Sequence, residues 1–267
     1  GEKRTRPMQP ERSTEPRARY EAVDALRGLI MMLMAVDHAS GFIARQHSSE
    51  FWSGAMSAYW SAFPFLTRWI THLCAPGFFF LMGAGAYWWA APRLGDAAAV
   101  MKRTIWRGLV LVATAQFVEV PMLLSMMVLK APAAMLSHAA EPMPNDGSSV
   151  SYGLITLTGL GLVLMACGLL LRLRPWAWAV AAALCVLATN TLLPGDGKMG
   201  PLWAAVLLKP GLTQHVVVMY PVIPWLGAAA AGLCFGYWWR KDAESAGRRV
   251  WLVGLAVLAV GVALRAM

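Results

Sequence analysis

The chain has 267 residues, of which 58% are hydrophobic and 14% charged, and its mean hydropathy is +0.53. Soluble domains carry about 25% charged residues, so the composition excludes a soluble globular enzyme and a soluble domain on one anchor. The net charge of +9 lies in short clusters between apolar runs, not along one amphipathic face, which argues for membrane topology and against a nucleic-acid partner.

Residues 1–19 are polar and rich in Pro and Arg, with too few apolar groups to fold, and are expected to form a disordered basic cytoplasmic tail. Residues 20–267 form the membrane domain. A signal peptide is not the reading preferred for its start, because Asp37 and His38 follow the first apolar run directly and further spans come after it. A bilayer core needs about 20 apolar residues per helix. On that scale spans fall near 24–44, 73–91, 104–129, 151–171, 175–193, 215–239 and 250–265, about seven. Residues 53–70 read as an interfacial or re-entrant segment broken by Pro64, and Pro221 and Pro224 read as breaks in the sixth span. The chain runs from Gly1 to an abrupt Met267, and a longer parent protein is expected.

With the N-terminus inside and the sides alternating, seventeen of the 23 Lys and Arg are cytoplasmic and six are not. Positive-inside is strongly satisfied. The expected fold is therefore an all-α polytopic integral membrane helical bundle with its N-terminus inside.

Helical rise then gives depths. Asp37 and His38 lie roughly 18–21 Å from the cytoplasmic start of the first span, and Glu119 roughly 22 Å into the third. His72 begins the second span from the opposite side, Asn190 sits at a similar height in the fifth, and Tyr220 and Trp225 enter the sixth. Isolated polar groups are costly in lipid, so one shared polar cavity is the economical expectation. Each member also has a plainer reading: His72 as an interfacial residue, His47 as a solvated loop residue, Glu119 as a partner for backbone groups near Pro121. The adjacent ionisable pair Asp37-His38 is the hardest to explain structurally and is the foremost functional candidate.

Other motifs carry less. Asp24 and Arg27, three apart, are expected to pair on one helix face at the cytoplasmic boundary. Gly232 and Gly236 form a GxxxG, which signals close helix packing at most. Cys74, Cys167, Cys185 and Cys234 lie in or beside apolar stretches without CxxC spacing, so they read as small core residues and no metal site is expected. The Gly195–Lys198 stretch lacks the upstream spacing of a phosphate loop and is followed by Met199, which rules that loop out.

Three stretches carry a family resemblance. Val23-Asp-Ala-Leu-Arg-Gly28 with Met34-Ala-Val-Asp-His38 is the first. Thr67-Arg-Trp-Ile-Thr-His-Leu-Cys-Ala-Pro-Gly-Phe-Phe-Phe-Leu-Met-Gly83 is the second and Tyr220-Pro-Val-Ile-Pro-Trp-Leu-Gly227 the third. Together, over roughly residues 20 to 240, they resemble bacterial members of the heparan-alpha-glucosaminide N-acetyltransferase catalytic-domain family. That family has further helices toward its C-terminus, beyond what this chain contains.

The resemblance implies a multi-pass protein of the bacterial inner membrane that moves acetyl from cytosolic acetyl-CoA to an extracytoplasmic amino sugar or glycolipid. It places the catalytic histidine on His38 by motif or on His47 by spacing, and His38 is preferred. On this reading His38 is general base or transient acyl carrier, with Asp37 or Glu119 fixing its tautomer. His72 binds substrate or stabilises the oxyanion, and Asn190, Tyr220 and Trp225 bind substrate. Arg93, Lys102, Arg103 and Arg107 attract the phosphates of acyl-CoA. The partners are then the lipid bilayer, acyl-CoA and the acceptor, with no nucleic acid and with homo-oligomerisation left open. The rival class is a transporter or channel that uses the same polar groups as a solute path.

Overall fold

A computed structural model describes residues 21–40, 61–123, 152–192, 201–212, 216–245, 248–249, 251–252 and 254–255. The expected tail over 1–19, the loop with His47 and most of the expected span 250–265 lie outside these residues. Helix α1 is Glu21–His38, α2 Ala62–Thr71 and α3 Cys74–Ala90, the last followed by a 3-10 turn over Ala91–Arg93. Helix α4 is Ala97–Thr114 and runs into a π-helical turn, Ala115–Glu119. Then come β1 (Tyr152–Leu154), α5 (Thr156–Leu170), α6 (Pro175–Leu192), α7 (Leu202–Leu207), β2 (Gly211–Leu212), β3 (Val216–Val218) and α8 (Val222–Lys241).

The helical class is as expected. Three stretches among the described residues are long and apolar enough to cross a membrane: Ala62–Arg93, Ala97–Leu123 and Val222–Lys241. Thr156–Leu170 and Pro175–Thr189 are shorter apolar helices. Helix α1 has 18 residues but carries Glu21, Asp24, Arg27 and Asp37, which lower its apolar character.

Two expected spans need correction at their starts. Residues 152–154 and 216–218 are strands, not the first turns of α5 and α8, and they pair in parallel with Gly153 opposite Val217. Strand β2 pairs antiparallel with β3, giving the order β1-β3-β2. The run Val216-Val-Val218 is β-branched throughout, and such side chains fit a pleat better than a helix.

The prolines also behave differently from expectation. Pro64 and Pro224 each occupy the third position of a helix (α2 and α8), as Pro76 does in α3. The first four N–H groups of a helix have no intrahelical acceptor, so proline there starts a helix without breaking it. Pro221 is the residue just before α8.

Helices α3 and α8 make the tightest crossing. A Cβ added at Gly232 would collide with the Phe80 carbonyl oxygen, and one at Gly83 with that of Ala229. The GxxxG therefore lets two backbones touch. Helix α4 meets α5 the same way, where a Cβ on Gly161 would lie 2.6 Å from the Gly108 oxygen. Helix α6 packs on the other flank of α8, and α1 lies against α2 and α3. Between α3, α5, α6 and α8 the core is filled by Phe79, Tyr87, Val163, Leu233 and Trp178, whose indole N–H donates to the Leu170 carbonyl at 2.6 Å. All four cysteines are buried free thiols. Outward faces carry Trp106, Phe117, Trp176 and Leu187 exposed, as a lipid-facing surface requires.

Replacing Gly232 with Ala is expected to destabilise by roughly 1–3 kcal/mol, the usual cost of overpacking. Alanine at Gly28 meets open space and should instead stabilise α1 by roughly 0.5–1 kcal/mol. Thermal unfolding of both variants in detergent checks this, and equal melting temperatures would contradict the close crossing.

Candidate active site

At one end of the bundle the C-terminal turns of α1 and α2 meet, and the π-helical turn after α4 meets the start of α5, on which α8 packs. Asp37 stands one residue from the end of α1, with its side chain 18% exposed. Its Oδ1 accepts a hydrogen bond from Arg68 Nη1 at 2.9 Å and another from Thr71 Oγ1 at 2.5 Å. The Arg68 side chain is itself only 13% exposed. Two charges withdrawn from solvent this far depend on each other, because neither has bulk water to turn to. Arg68 and Thr71 lie three apart on α2 and so share one helix face. The Thr71 hydroxyl also lies 3.1 Å from the Arg68 carbonyl. It has one proton to give, and the charged acceptor is the stronger one. The Arg68 Nε is buried and finds no hydrogen-bond partner among the described residues.

The two histidines flank this contact. His38 follows Asp37, and its Nδ1 lies 2.8 Å from the Met34 carbonyl one turn back and 3.8 Å from Asp37 Oδ2. His72 follows Thr71, and its Nδ1 lies 2.6 Å from the Arg68 carbonyl. A carbonyl oxygen only accepts, so in each ring Nδ1 carries the hydrogen and donates it. In the neutral imidazole Nε2 is then the basic nitrogen. Both side chains are exposed, His38 by 55%.

Glu119 has another partner. It closes the π-helical turn, and its Oε2 accepts from the backbone N–H of Leu157 at 2.9 Å. Ile155, the residue before α5, has no polar side chain to cap that helix, so Glu119 does it from α4. Gln116, three residues earlier in the same turn, donates to the Gly153 carbonyl at 2.8 Å and to Thr158 Oγ1 at 2.9 Å. The turn thus points two polar side chains at the β1–α5 corner. This agrees with the plainer reading of Glu119 as a partner for backbone groups, with the groups on a neighbouring helix.

Tyr220 links the two halves. It lies ahead of α8, and burial pushes its phenol above the usual range, opposed by a hydrogen bond with Thr156 and by the Arg68 charge. The Glu119 and Asp37 carboxylates push it further up. One hydroxyl therefore sits within electrostatic reach of Arg68, Glu119 and Asp37, and near neutral pH it is a protonated donor. Its ring centroid is 5.2 Å from that of Trp225, which stacks on Phe79 at 4.8 Å. Asn190 belongs to α6, and its side chain is outside the described residues.

The remaining basic candidates are at the far end of α3, a helix of 17 residues and so roughly 25 Å long. Arg93 Nη1 donates to the Trp89 carbonyl at 2.7 Å. The guanidinium groups of Arg93 and Arg103 lie 4.9 and 4.7 Å from the Trp89 ring centroid. Lys102 and Arg107 are exposed on α4. A recess of about 280 Å³ beside them is lined by Leu94, Ala97, Val100, Leu171 and Arg172. At this end Arg27 pairs with Asp24 at 3.0 Å, as their spacing suggested. Among the described residues no group of three or more His, Cys, Asp or Glu is placed to hold a metal.

Sequence reasoning missed Arg68, Thr71 and Gln116 as parts of this site. Arg68 was countable only as one of the few basic residues on its side. The signal lay in Asp37, since a carboxylate within an apolar run calls for a cation.

The family model described as heparan-alpha-glucosaminide N-acetyltransferase, catalytic, matches residues 19–262. The chain belongs to that family, one of membrane acetyltransferases. No curated protein and no solved structure matches the chain.

Glu119→Ala leaves the Leu157 N–H without its acceptor and should cost roughly 0.5–2 kcal/mol, as loss of a helix cap does. Glu119→Gln keeps an acceptor oxygen and should stay close to wild type in thermal unfolding. A Gln variant as unstable as the Ala variant would show that the charge, not the cap, is what matters.

Proposed function

We propose that the protein transfers an acetyl group from acetyl-CoA, taken up at the cytoplasmic face of a bacterial inner membrane, to an amino sugar or glycolipid on the other side. The chain crosses the membrane several times with its N-terminus inside. Family membership supports acetyl transfer. The observation that carries the reading to residues is the His38 ring, whose Nδ1–H is occupied by the Met34 carbonyl so that Nε2 is the basic nitrogen.

In the base-catalysed route the acceptor amine attacks the thioester carbonyl while Nε2 of His38 takes the amine proton. The C–S bond breaks, the CoA thiolate takes the proton back from the imidazolium, and an amide and free CoA leave. In the acyl-carrier route the same Nε2 attacks the thioester first. Both routes use one nitrogen. His72, whose Nδ1–H is held by the Arg68 carbonyl, binds substrate with Nε2 as an acceptor or, as the imidazolium with Nε2 protonated, steadies the oxyanion. Asp37 acts on His38 from 3.8 Å while it is held by Arg68, and Glu119 acts through the α5 terminus. Tyr220 and Trp225 offer a hydroxyl donor and an aromatic wall for the acceptor, joined by Asn190. Arg93, Lys102, Arg103 and Arg107 attract the CoA phosphates. Arg93 and Arg103 keep further N–H donors beside their contacts with Trp89.

Replacing His38 with Ala should lower acetyl transfer at least about a hundredfold, the usual contribution of a general base. Acetyl-CoA binding should survive, since the basic cluster is at the other end of the bundle. Radiolabelled transfer to an amino-sugar acceptor in proteoliposomes, with CoA binding on the same preparation, measures both. Full activity would move the role to His47 or His72. No transfer by the wild type across a broad acceptor panel, with solute uptake instead, would favour the transporter reading.

A further inference from the structure

Arg68 touches both histidine-bearing segments. Its side chain holds Asp37, the neighbour of His38 on α1, and its main-chain oxygen receives the Nδ1–H of His72 on α2. Thr71, the neighbour of His72, closes the same contact from the other side by donating to Asp37. One residue thus connects the end of α1 to α2 at the point where each chain segment presents an imidazole.

The sequence separation makes this connection necessary. Arg68 and Asp37 are 31 residues apart, and α1 meets α2 near its C-terminal end, where Asp37 is the carboxylate on that face. Below it, α1 rests on α3, where Cys74 lies 3.6 Å from the Ile30 carbonyl and Leu81 packs with Val23 and Ile30. Those apolar contacts fix α1 to α3 but leave its final turn dependent on polar bonds. Apolar packing is non-directional, whereas the ion pair and the Thr71 hydrogen bond define one rotation of the α1 terminus about its axis. That rotation sets where His38 points.

We propose that Arg68 is a positioning residue of the transfer site, clamping the C-terminal turn of α1 onto α2 and so fixing the two imidazoles relative to each other. The proposal rests on the acetyl-transfer reading for its catalytic consequence and on the geometry alone for the clamp. Misplacing a reacting group by about 1 Å costs on the order of a hundredfold in rate, so the consequence belongs to kcat and not to substrate affinity.

The test uses the full chain in nanodiscs or proteoliposomes with four variants: R68M, R68K, D37N and D37N/R68M. Rates are expressed per molecule that binds acetyl-CoA, which removes any loss of folded protein from the comparison. R68M should lose roughly a hundredfold in kcat with KM close to wild type. R68K, which restores a cation for Asp37 without the guanidinium fork, should recover a large part of that loss. Because Arg68 acts through Asp37, losing Arg68 should cost nothing further once Asp37 is neutral, so D37N/R68M should be no worse than the more impaired of the two single variants. Wild-type kcat in R68M, or losses in the double variant that multiply, would overturn the clamp.

A second readout needs no activity. Val36 and Ile70 are exposed on α1 and α2, and spin labels on cysteines placed there report the distance between the two segments. The native thiols are buried. A narrow distance distribution in the wild type and in R68K, broadened in R68M and in D37N/R68M, is the expected result. An unchanged distribution in R68M would overturn the proposal. Should R68M fail to fold with Asp37 uncompensated, D37N/R68M carries the same expectations with neither charge present. If the wild type transfers no acetyl at all, the functional reading fails, and the spin-label distances still judge the clamp.

Discussion

The Asp37–Arg68 ion pair is the constraint on which this end of the molecule depends. Each side chain is less than one-fifth exposed, and together with the Thr71 hydrogen bond they join α1 to α2. Removing one partner of a buried pair costs about 3–5 kcal/mol, because the survivor is left charged without water or counterion. The pair is therefore weak as a source of net stability and strong as a device for specifying one arrangement. That arrangement places His38 and His72 on either side of the contact.

The same logic extends to the other polar groups at this end. Glu119 and Gln116 leave the π-helical turn of α4 to satisfy backbone groups at the β1–α5 corner. Tyr220 then stands between that corner and the ion pair, hydrogen-bonded to Thr156 and sensing both carboxylates and the guanidinium. In a hydrocarbon surrounding, backbone groups without helical partners are tolerated only where protein satisfies them. A small sheet, a π turn and unpaired helix starts occur together here for that reason. The π turn also follows from sequence, since Pro121 has no N–H to continue an α-helical ladder through this stretch.

Much of this was legible before any coordinates. The expected spans 73–91 and 175–193 match the helices Cys74–Ala90 and Pro175–Leu192 within a residue at each end, because strong hydrophobicity with flanking Arg or Pro leaves little choice of period or boundary. The strands were not legible as such. Val216-Val-Val218 adjoins the apolar run of α8, and hydropathy alone cannot separate a buried strand from a buried helix turn. Pro64 and Pro224 were read as breaks because position within a helix is invisible until the start is known. At the site, Asp37 and His38 stood out as ionisable groups in an apolar run. Arg68 did not, since its partner is 31 residues away and contact between two spans is a tertiary fact.

The proposed transfer takes acetyl from one face and delivers it at the other, where the imidazoles stand. Vectorial transfer tests this most directly. Proteoliposomes selected for an outward-facing N-terminal tag would receive radiolabelled acetyl-CoA outside, with an amino-sugar acceptor trapped in the lumen. Transfer across the membrane predicts labelled acceptor inside the vesicles. Label appearing only on acceptor supplied to the outer medium, on the same side as acetyl-CoA, would contradict it.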